Sequence, residues 1–139
     1  MDIESPKQRE DFLKSVSPEE AESHHSLLRE VFEREIEYRE SDEEHDFFEN
    51  LYWCAFLLFH VGDLEDVERM WEAKHINMDT GCGFDIQNLV GAGVKNTILY
   101  LEERNLGKIA QHLRACEKNG RFDYLPEWTR QRTDYFYGD

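Results

Sequence analysis

The side chains best suited to metal chemistry lie near the start of the chain. Glu22 and His25 form a Glu-x-x-His pair, and further glutamates follow at positions 33, 37 and 40. Carboxylate-bridged dimetal proteins use two such pairs with two lone glutamates, all projecting into a helical bundle. His45 follows Glu43 and Glu44 at the wrong spacing for a second pair. A carboxylate-bridged metal enzyme is therefore a remote alternative, and we expect no bound metal.

Other reactive residue types occur around one glycine-rich segment. Cys82, His75 and Asp79 have the types of a nucleophile, a base and an orienting carboxylate, but such a trio arises by chance in chains of this length. The glycines at 81–83 and 91–93 form neither a GxGxxG motif after a strand nor a P-loop with its lysine. We therefore assign no catalytic residues, expect no cofactor and predict that the chain is not an enzyme.

Two groups of side chains are better suited to contacting a protein. The first is an acidic face at helical spacing, made of Glu33, Glu37, Glu40 and Glu44. The second is a ridge where a helix ends and a turn begins; an aromatic side chain flanked by polar groups makes a good binding hot spot. Its residues are Trp71, His75, Asp79 and Asp85, with Lys74 and Asn77 beside them. The alternatives are core packing for Trp71 and a solvated surface for the glutamates.

Helix signals account for nearly the whole chain. Capping boxes at Ser17–Glu20 and Ser41–Glu44 predict a helix from position 17 to about 39 and a central helix over 41–61, apolar on nearly every face. On the first helix, Glu35 and Arg39 have the spacing of a surface ion pair. Further helices are expected over about 64–75, 84–91, 94–104 and 107–118, with a turn at 78–83 and an aromatic tail that covers an open edge of the core.

The stretch from Gly62 to Asn105 contains a helical unit followed by a loose copy of itself. Three positions of the first unit, 62, 67 and 70, correspond at an offset of 31 residues to Gly93, Ile98 and Leu101. Repeats of about this length are typical of stacked helix pairs.

In detail this stretch resembles an ankyrin-type repeat. Ile76-Asn77 matches the turn of such a repeat, and residues 84–87 stand where its Thr-Pro-Leu-His helix start would lie, although none of those four residues is identical. A HEAT-like arrangement, which pairs 41–61 with 63–75 and 84–91 with 94–104, fits equally well. Either resemblance implies an α-solenoid that binds protein on one face.

We therefore predict an all-α fold without strands, because no segment alternates convincingly with a period of two. The expected architecture is a solenoid-like stack of helix pairs in a single domain, 1–139, and the alternative is a compact irregular helical bundle. Residues 1–16 form either a short docked helix or a loose arm.

The charge is large and unevenly distributed. The formal net charge is −15, and residues 1–93 hold 24 acids and 8 bases, whereas residues 94–139 hold 7 and 8. An acidic surface suits a basic partner and repels nucleic acid and anionic membranes, although solubility alone is a simpler explanation. The three cysteines show no CxxC spacing and the chain opens without a signal peptide, so we expect a cytoplasmic protein.

Together these features predict a protein-binding module. The most specific form of this hypothesis is an immunity-type protein that neutralises a basic toxin by covering its active site. The alternative is an adaptor or regulatory scaffold in a cellular complex.

Overall fold

The computed structural model describes residues 2–41 and 49–138, and all regular structure in those ranges is helical. Their eight α-helices are α1 (Pro6–Ser15), α2 (His25–Glu40), α3 (Asn50–Val61), α4 (Val67–Lys74), α5 (Met78–Gly83), α6 (Val94–Glu103), α7 (Gly107–Lys118) and α8 (Leu125–Tyr137). Short 3-10 helices cover Pro18–His24, Leu64–Asp66 and Ile86–Val90. The predicted all-α fold is confirmed. None of the described helices is long and apolar enough to cross a bilayer.

The N-terminal residues form a docked helix, α1, which corresponds to the first of the two alternatives for residues 1–16. Ser5 and Gln8 form a capping box at the start of α1. Phe12, Leu13 and Val16 are buried in the common core. This apolar contact offsets the low intrinsic stability of a ten-residue helix.

The predicted helix from position 17 is divided in two. Ser17 donates from both its backbone nitrogen and its hydroxyl to the Glu20 carboxylate, at 3.3 and 2.8 Å, so the expected cap is present. A 3-10 helix, Pro18–His24, precedes α2. It packs against α3 with Ala21 fully buried, and this contact between distant segments is invisible in the local pattern.

Helix α3 is the central helix, as expected, but it is shorter than predicted. It begins at Asn50, with Glu49 outside the helix; residues 42–48, which include Glu44 of the second predicted capping box, lie outside the described residues. Its first nine residues are all buried except Tyr52, which is intermediate; the buried ones are Asn50, Leu51, Trp53, Cys54, Ala55, Phe56, Leu57 and Leu58. A helix that is apolar all round must be covered on all sides, and α1, α2 and the Ile86–Val90 segment cover it.

The helices pack as a compact bundle, which was the alternative prediction, and solenoid stacking is not confirmed. Helix α3 packs chiefly on α2, and α6 chiefly on α7, rather than in the pairs of the HEAT-like reading. The internal similarity nevertheless has a physical basis, because the corresponding residues are all buried core: Val67, Met70, Ile98 and Leu101.

The segment 78–83 is a short helix, α5, and not the predicted turn. Asn77 caps it by accepting from the Thr80 amide at 2.9 Å, while the Thr80 hydroxyl accepts from the Asn77 amide at 3.0 Å. The composition of this segment resembles a turn, but the reciprocal cap and the full burial of Thr80 stabilise a helix.

The expected aromatic tail forms α8 and covers the far edge of α3. The Tyr137 hydroxyl accepts from the Trp53 indole at 3.0 Å and donates to the Val16 carbonyl at 2.7 Å. Phe136 stacks on Trp53, with ring centroids 5.4 Å apart, and Trp128 meets Phe56 edge-on at 5.6 Å. Helix α8 is thereby fixed to both α3 and the end of α1.

Glycine backbones bring α3 close to the corner before α6. Gly62 ends α3 with φ of 71°, and Gly93 precedes α6 with φ of 101°, values that favour glycine. Gly91 has an ordinary φ of −59°, but a Cβ at this position would lie only 2.1 Å from the Phe59 carbonyl oxygen. Space, and not backbone conformation, therefore requires glycine at 91.

A buried ion pair joins α1 to α2. Arg9 donates from Nε to the Glu35 carboxylate, and its Nη1 donates to the carbonyls of Ile3 and Glu4 at 2.9 and 3.1 Å. Asn50 of α3 donates to the same carboxylate at 3.3 Å. Glu35 has the i,i+4 spacing for Arg39, but it is buried and paired with Arg9, because α1 covers this face of α2.

Replacing Gly91 with Ala should destabilise the fold by about 1–3 kcal/mol, the usual cost of an added methyl where there is no room. Gly107→Ala is the matched control, because a Cβ there meets nothing within 4 Å, and it should leave stability unchanged or slightly higher. Urea unfolding measures both. Equal midpoints for the two variants would contradict the close approach at Phe59.

Arg9→Met should cost about 3–5 kcal/mol of unfolding free energy, since it leaves the Glu35 carboxylate buried without its partner. The double variant Arg9→Met/Glu35→Leu removes both charges and should recover most of that loss. Thermal and urea unfolding of the two variants test the coupling; a double variant no more stable than Arg9→Met would contradict it.

Candidate functional site

The predicted acidic face lies on the outer side of α2. Glu33, Glu37 and Glu40 are all exposed, whereas Glu44 lies outside the described residues. Their exposure follows from Glu35, because two residues along a helix correspond to a rotation of about 200°. With Glu35 directed into the core, Glu33 and Glu37 are directed away from it.

Glu33 is paired with an arginine of α4, which the sequence did not reveal. Arg69 donates to the two Glu33 oxygens at 2.8 and 2.7 Å in a bidentate ion pair. The hydrogen bonds to Glu33 raise the pKa of Arg69. This cation offsets the like-charge repulsion between Glu33 and Glu37, four residues apart.

A cavity of about 370 Å³ opens between α2, α3 and the start of α4. It is lined by Arg29, Phe32, Glu33, Leu58, Glu65, Asp66 and Arg69. Phe32 and Leu58, each 2% exposed, are core residues that contribute its apolar wall. The remaining lining is charged, so the cavity combines an apolar wall with ion pairs.

Asp66 organises one side of this cavity. Its side chain is only 8% exposed and accepts from Arg29 Nε at 2.6 Å, while its other oxygen lies 2.7 Å from His25 Nε2. Arg29 also donates to Asp63 at 3.3 Å. The hydrogen bond to Asp66 raises the pKa of Arg29. The carboxylate thus fixes Arg29 and His25 of α2 against the start of α4.

A shallower hollow of about 260 Å³ continues along the outer surface of α2. Arg29, Glu30, Glu33, Arg34 and Glu37 line it. Because it shares Arg29 and Glu33 with the cavity, the two form one surface, here called the α2–α4 groove. Exposed glutamates at 68 and 72 extend the negative charge along α4.

The groove is connected by three residues that were missed in the sequence, Arg29, Asp66 and Arg69, although a signal exists. His25, Arg29 and Glu33 recur every four residues and therefore form one stripe of α2. Such a stripe, two basic side chains followed by an acidic one, predicts a neighbouring element with complementary charges. Asp66 and Arg69 supply those charges, and only the packing of α4 beside α2 shows that they do.

The predicted ridge does not form a single polar cluster. Trp71 is half-buried between two imidazoles, with ring centroids 4.2 Å from His75 and 5.1 Å from His112. Burial is the main cause of the lowered pKa of His112, and the neighbouring His75 adds to it. Much of the Trp71 side chain is therefore packed against other residues, as the core-packing alternative predicts.

The other ridge residues have separate surroundings. The carboxylate of Asp85 accepts from the Trp128 indole at 2.9 Å, which ties it to α8. The side chain of Asp79 is exposed. Lys74 donates to the carbonyls of Gly81 and Phe84 at 2.7 and 2.5 Å, and its burial lowers its pKa.

The structure also shows the surroundings of the reactive trio and of the Glu-x-x-His motif. A second Glu-x-x-His pair, Glu72 and His75, was overlooked in the sequence. Glu72 lies 3.5 Å from Arg69, and His75 Nδ1 lies 2.7 Å from the Trp71 carbonyl. Across residues 2–41 and 49–138, no group of three or more His, Cys, Asp or Glu side chains could hold a metal ion. Within the same residues, no hydrogen bond joins Cys82, His75 and Asp79.

Asp66→Asn should lower the unfolding free energy by about 1.5–3 kcal/mol, because it removes the charged acceptor of Arg29 and His25. Asp63→Asn is the matched control: this residue is more exposed, and asparagine preserves its helix cap, so the expected loss is below about 1 kcal/mol. Urea unfolding measures the difference. Losses of equal size would show that Asp66 has no special part in the groove.

Comparison with known proteins identifies no relative of this chain. No protein family model matches the chain, and neither a curated protein nor a solved structure is significantly similar to it. The function is therefore inferred from the residues and their arrangement.

Proposed function

We propose that this chain is a protein-binding module whose α2–α4 groove engages a basic partner in the cytoplasm. The observation that carries the proposal is the continuity of the groove: a cavity, a hollow and the exposed glutamates of α2 and α4 form one acidic surface. In its most specific form, the chain is an immunity-type protein that covers the active site of a basic toxin.

The electrostatics of the groove support a cationic partner. Its arginines are already engaged with carboxylates of the same chain, Arg29 with Asp66 and Arg69 with Glu33. Glu37 and Glu40 add two exposed carboxylates to this surface. Such a surface accelerates encounter with a basic protein and repels phosphate-rich ligands.

A second candidate function, an adaptor in a cellular complex, is favoured by apolar side chains outside the groove. Met78 and Tyr124 are 84% and 71% exposed, and Leu99 and Tyr135 are also exposed. Exposed aromatic and methionine side chains are common in protein interfaces. An adaptor would use these residues to contact a second partner while the groove holds the first.

The test begins with capture of the partner by the tagged chain in its native host, followed by affinity measurements on the purified pair. Glu37→Lys/Glu40→Lys should weaken binding about tenfold or more at low salt, mainly through the association rate. Glu103→Lys/Glu117→Lys makes the same change of charge in the C-terminal half and should alter binding about twofold or less.

The wild-type affinity should also fall steeply as salt is added. Equal losses for the two double variants would refute the groove as the interface. For the immunity hypothesis, co-expression must protect cells from the captured partner, and the Glu37/Glu40 variant must protect less well. An adaptor would instead bind two partners at once without protecting the cell.

A further inference from the structure

Helix α8 is the least deeply packed helix of the bundle. Of the eight α-helices that the structure describes, only α8 has no fully buried residue. Its half-buried side chains form one stripe at helical spacing: Leu125, Trp128, Thr129, Arg132, Thr133, Phe136 and Tyr137. Its other face is exposed. Helix α8 is therefore a single amphipathic layer at the edge of the core.

Side chains attach α8 to the rest of the bundle. Among the described residues, no backbone hydrogen bond joins α8 to another element. Near its start, the Trp128 indole donates to Asp85 at 2.9 Å. At its end, the Tyr137 hydroxyl accepts from Trp53 at 3.0 Å and donates to the Val16 carbonyl at 2.7 Å. Water can replace these partners when α8 lifts, so that most of their energy is recovered.

An aromatic face of α3 lies beneath α8. Trp53 and Phe56 are 6% and 1% exposed, and Phe59 is half-buried. Phe136 stacks on Trp53, whereas Trp128 meets Phe56 and Phe59 edge-on, with ring centroids 5.6 and 5.0 Å away. Lifting α8 would bring these rings of α3 into contact with water. A contiguous apolar patch of this kind is typical of an interaction surface.

The connection before α8 provides a pivot. Residues 119–124 form turns and not a helix. Phe122 is buried and holds the first part of this connection against the core. Asp123 and Tyr124, which follow it, are both exposed. A change of backbone conformation at these two residues would redirect α8 without disturbing α7.

The charge of this end of the molecule permits contact between two copies. In α8, Glu127 and Asp134 balance Arg130 and Arg132. Residues 94–139 hold 7 acids and 8 bases, whereas the acidic surplus lies in residues 1–93. Two copies that exchange α8 would therefore meet through nearly neutral segments. Salt would screen the remaining repulsion between their acidic halves.

We propose that α8 is exchangeable: it lifts from α3 as one unit, and the face formed by Trp53, Phe56 and Phe59 then receives α8 of a second copy of this chain. The exchanged dimer remakes the contacts of the closed chain, so it requires no new complementary surface. This surface is separate from the α2–α4 groove, and the inference does not depend on the proposed function.

Hydrogen exchange of the full-length chain tests the lifting step. Amides of α8 should be at least about tenfold less protected than those of α3, and Tyr137→Phe, which removes the attaching hydroxyl, should lower the protection of α8 at least about threefold further. Tyr124→Phe makes the same chemical change on a side chain that is 71% exposed, and it should alter protection less than about twofold. Equal protection of α8 and α3 overturns the proposal.

A fluorescein-labelled peptide of residues 125–138 represents α8 of the second copy. The full-length Trp128→Ala chain, whose own α8 is weakened, should bind this peptide at least about tenfold more tightly than the wild-type chain, in which the attached α8 competes at high effective concentration. The peptide that carries Trp128→Ala is the matched control and should bind that chain at least about tenfold more weakly. If the Trp128→Ala chain binds neither peptide, or both equally, α8 is not exchangeable.

The dimer itself is tested on the wild-type chain refolded at high protein concentration. Sedimentation should show a dimer whose fraction rises with added salt, whereas binding of a basic partner at the groove should weaken. In a refolded mixture of ¹³C-labelled and unlabelled chains, isotope-filtered NMR should detect Phe136 of one copy against Trp53 of the other. A chain that stays monomeric at every salt concentration, or a dimer without this contact, refutes the exchange and leaves the groove proposal intact.

Discussion

The buried pair between Arg9 and Glu35 is the interaction on which the N-terminal half of the bundle depends. Removing two charges from water is costly and is offset only by good geometry and further hydrogen bonds. Here Arg9 also binds two carbonyls of the N-terminal segment, and Asn50 brings α3 to the same carboxylate. Three helices therefore meet at one carboxylate. The rotation of α2 that this requires also directs Glu33 and Glu37 outward, so the fold and the acidic face share one cause.

A second constraint is the all-round burial of α3. A helix with no solvated face must be enclosed, and the chain encloses it with elements from both ends of the sequence. Helix α1 lies on one side, and the aromatic residues of α8 close the other through Trp53 and Phe56. The Gly91 backbone approaches the Phe59 carbonyl where any side chain would clash. These contacts explain why the helices form a closed bundle: an open stack would leave α3 exposed.

The α2–α4 groove follows from this packing. Because α2 is fixed by Glu35, and Asp66 holds the start of α4 against Arg29 and His25, a cavity remains between the two helices. Its arginines compensate the inner carboxylates, and the outer glutamates at 37 and 40 remain exposed. The apolar wall beneath those charges gives the surface a depth that an exposed acidic helix would lack.

The sequence alone was enough to predict the all-α class, the cap at Ser17 and helices over about 94–104 and 107–118, because these depend on interactions between residues close in the chain. It also determined that α2 carries Glu33, Glu37 and Glu40 at helical spacing. The residues that these glutamates contact depend on the tertiary structure. Glu35 has the same local signature as its neighbours, yet a distant helix, α1, brings Arg9 to it and buries it. Likewise Arg69 reaches Glu33 and Asp66 reaches Arg29 across more than thirty residues. Neither contact can be read from spacing, because it depends on how the helices pack around α3.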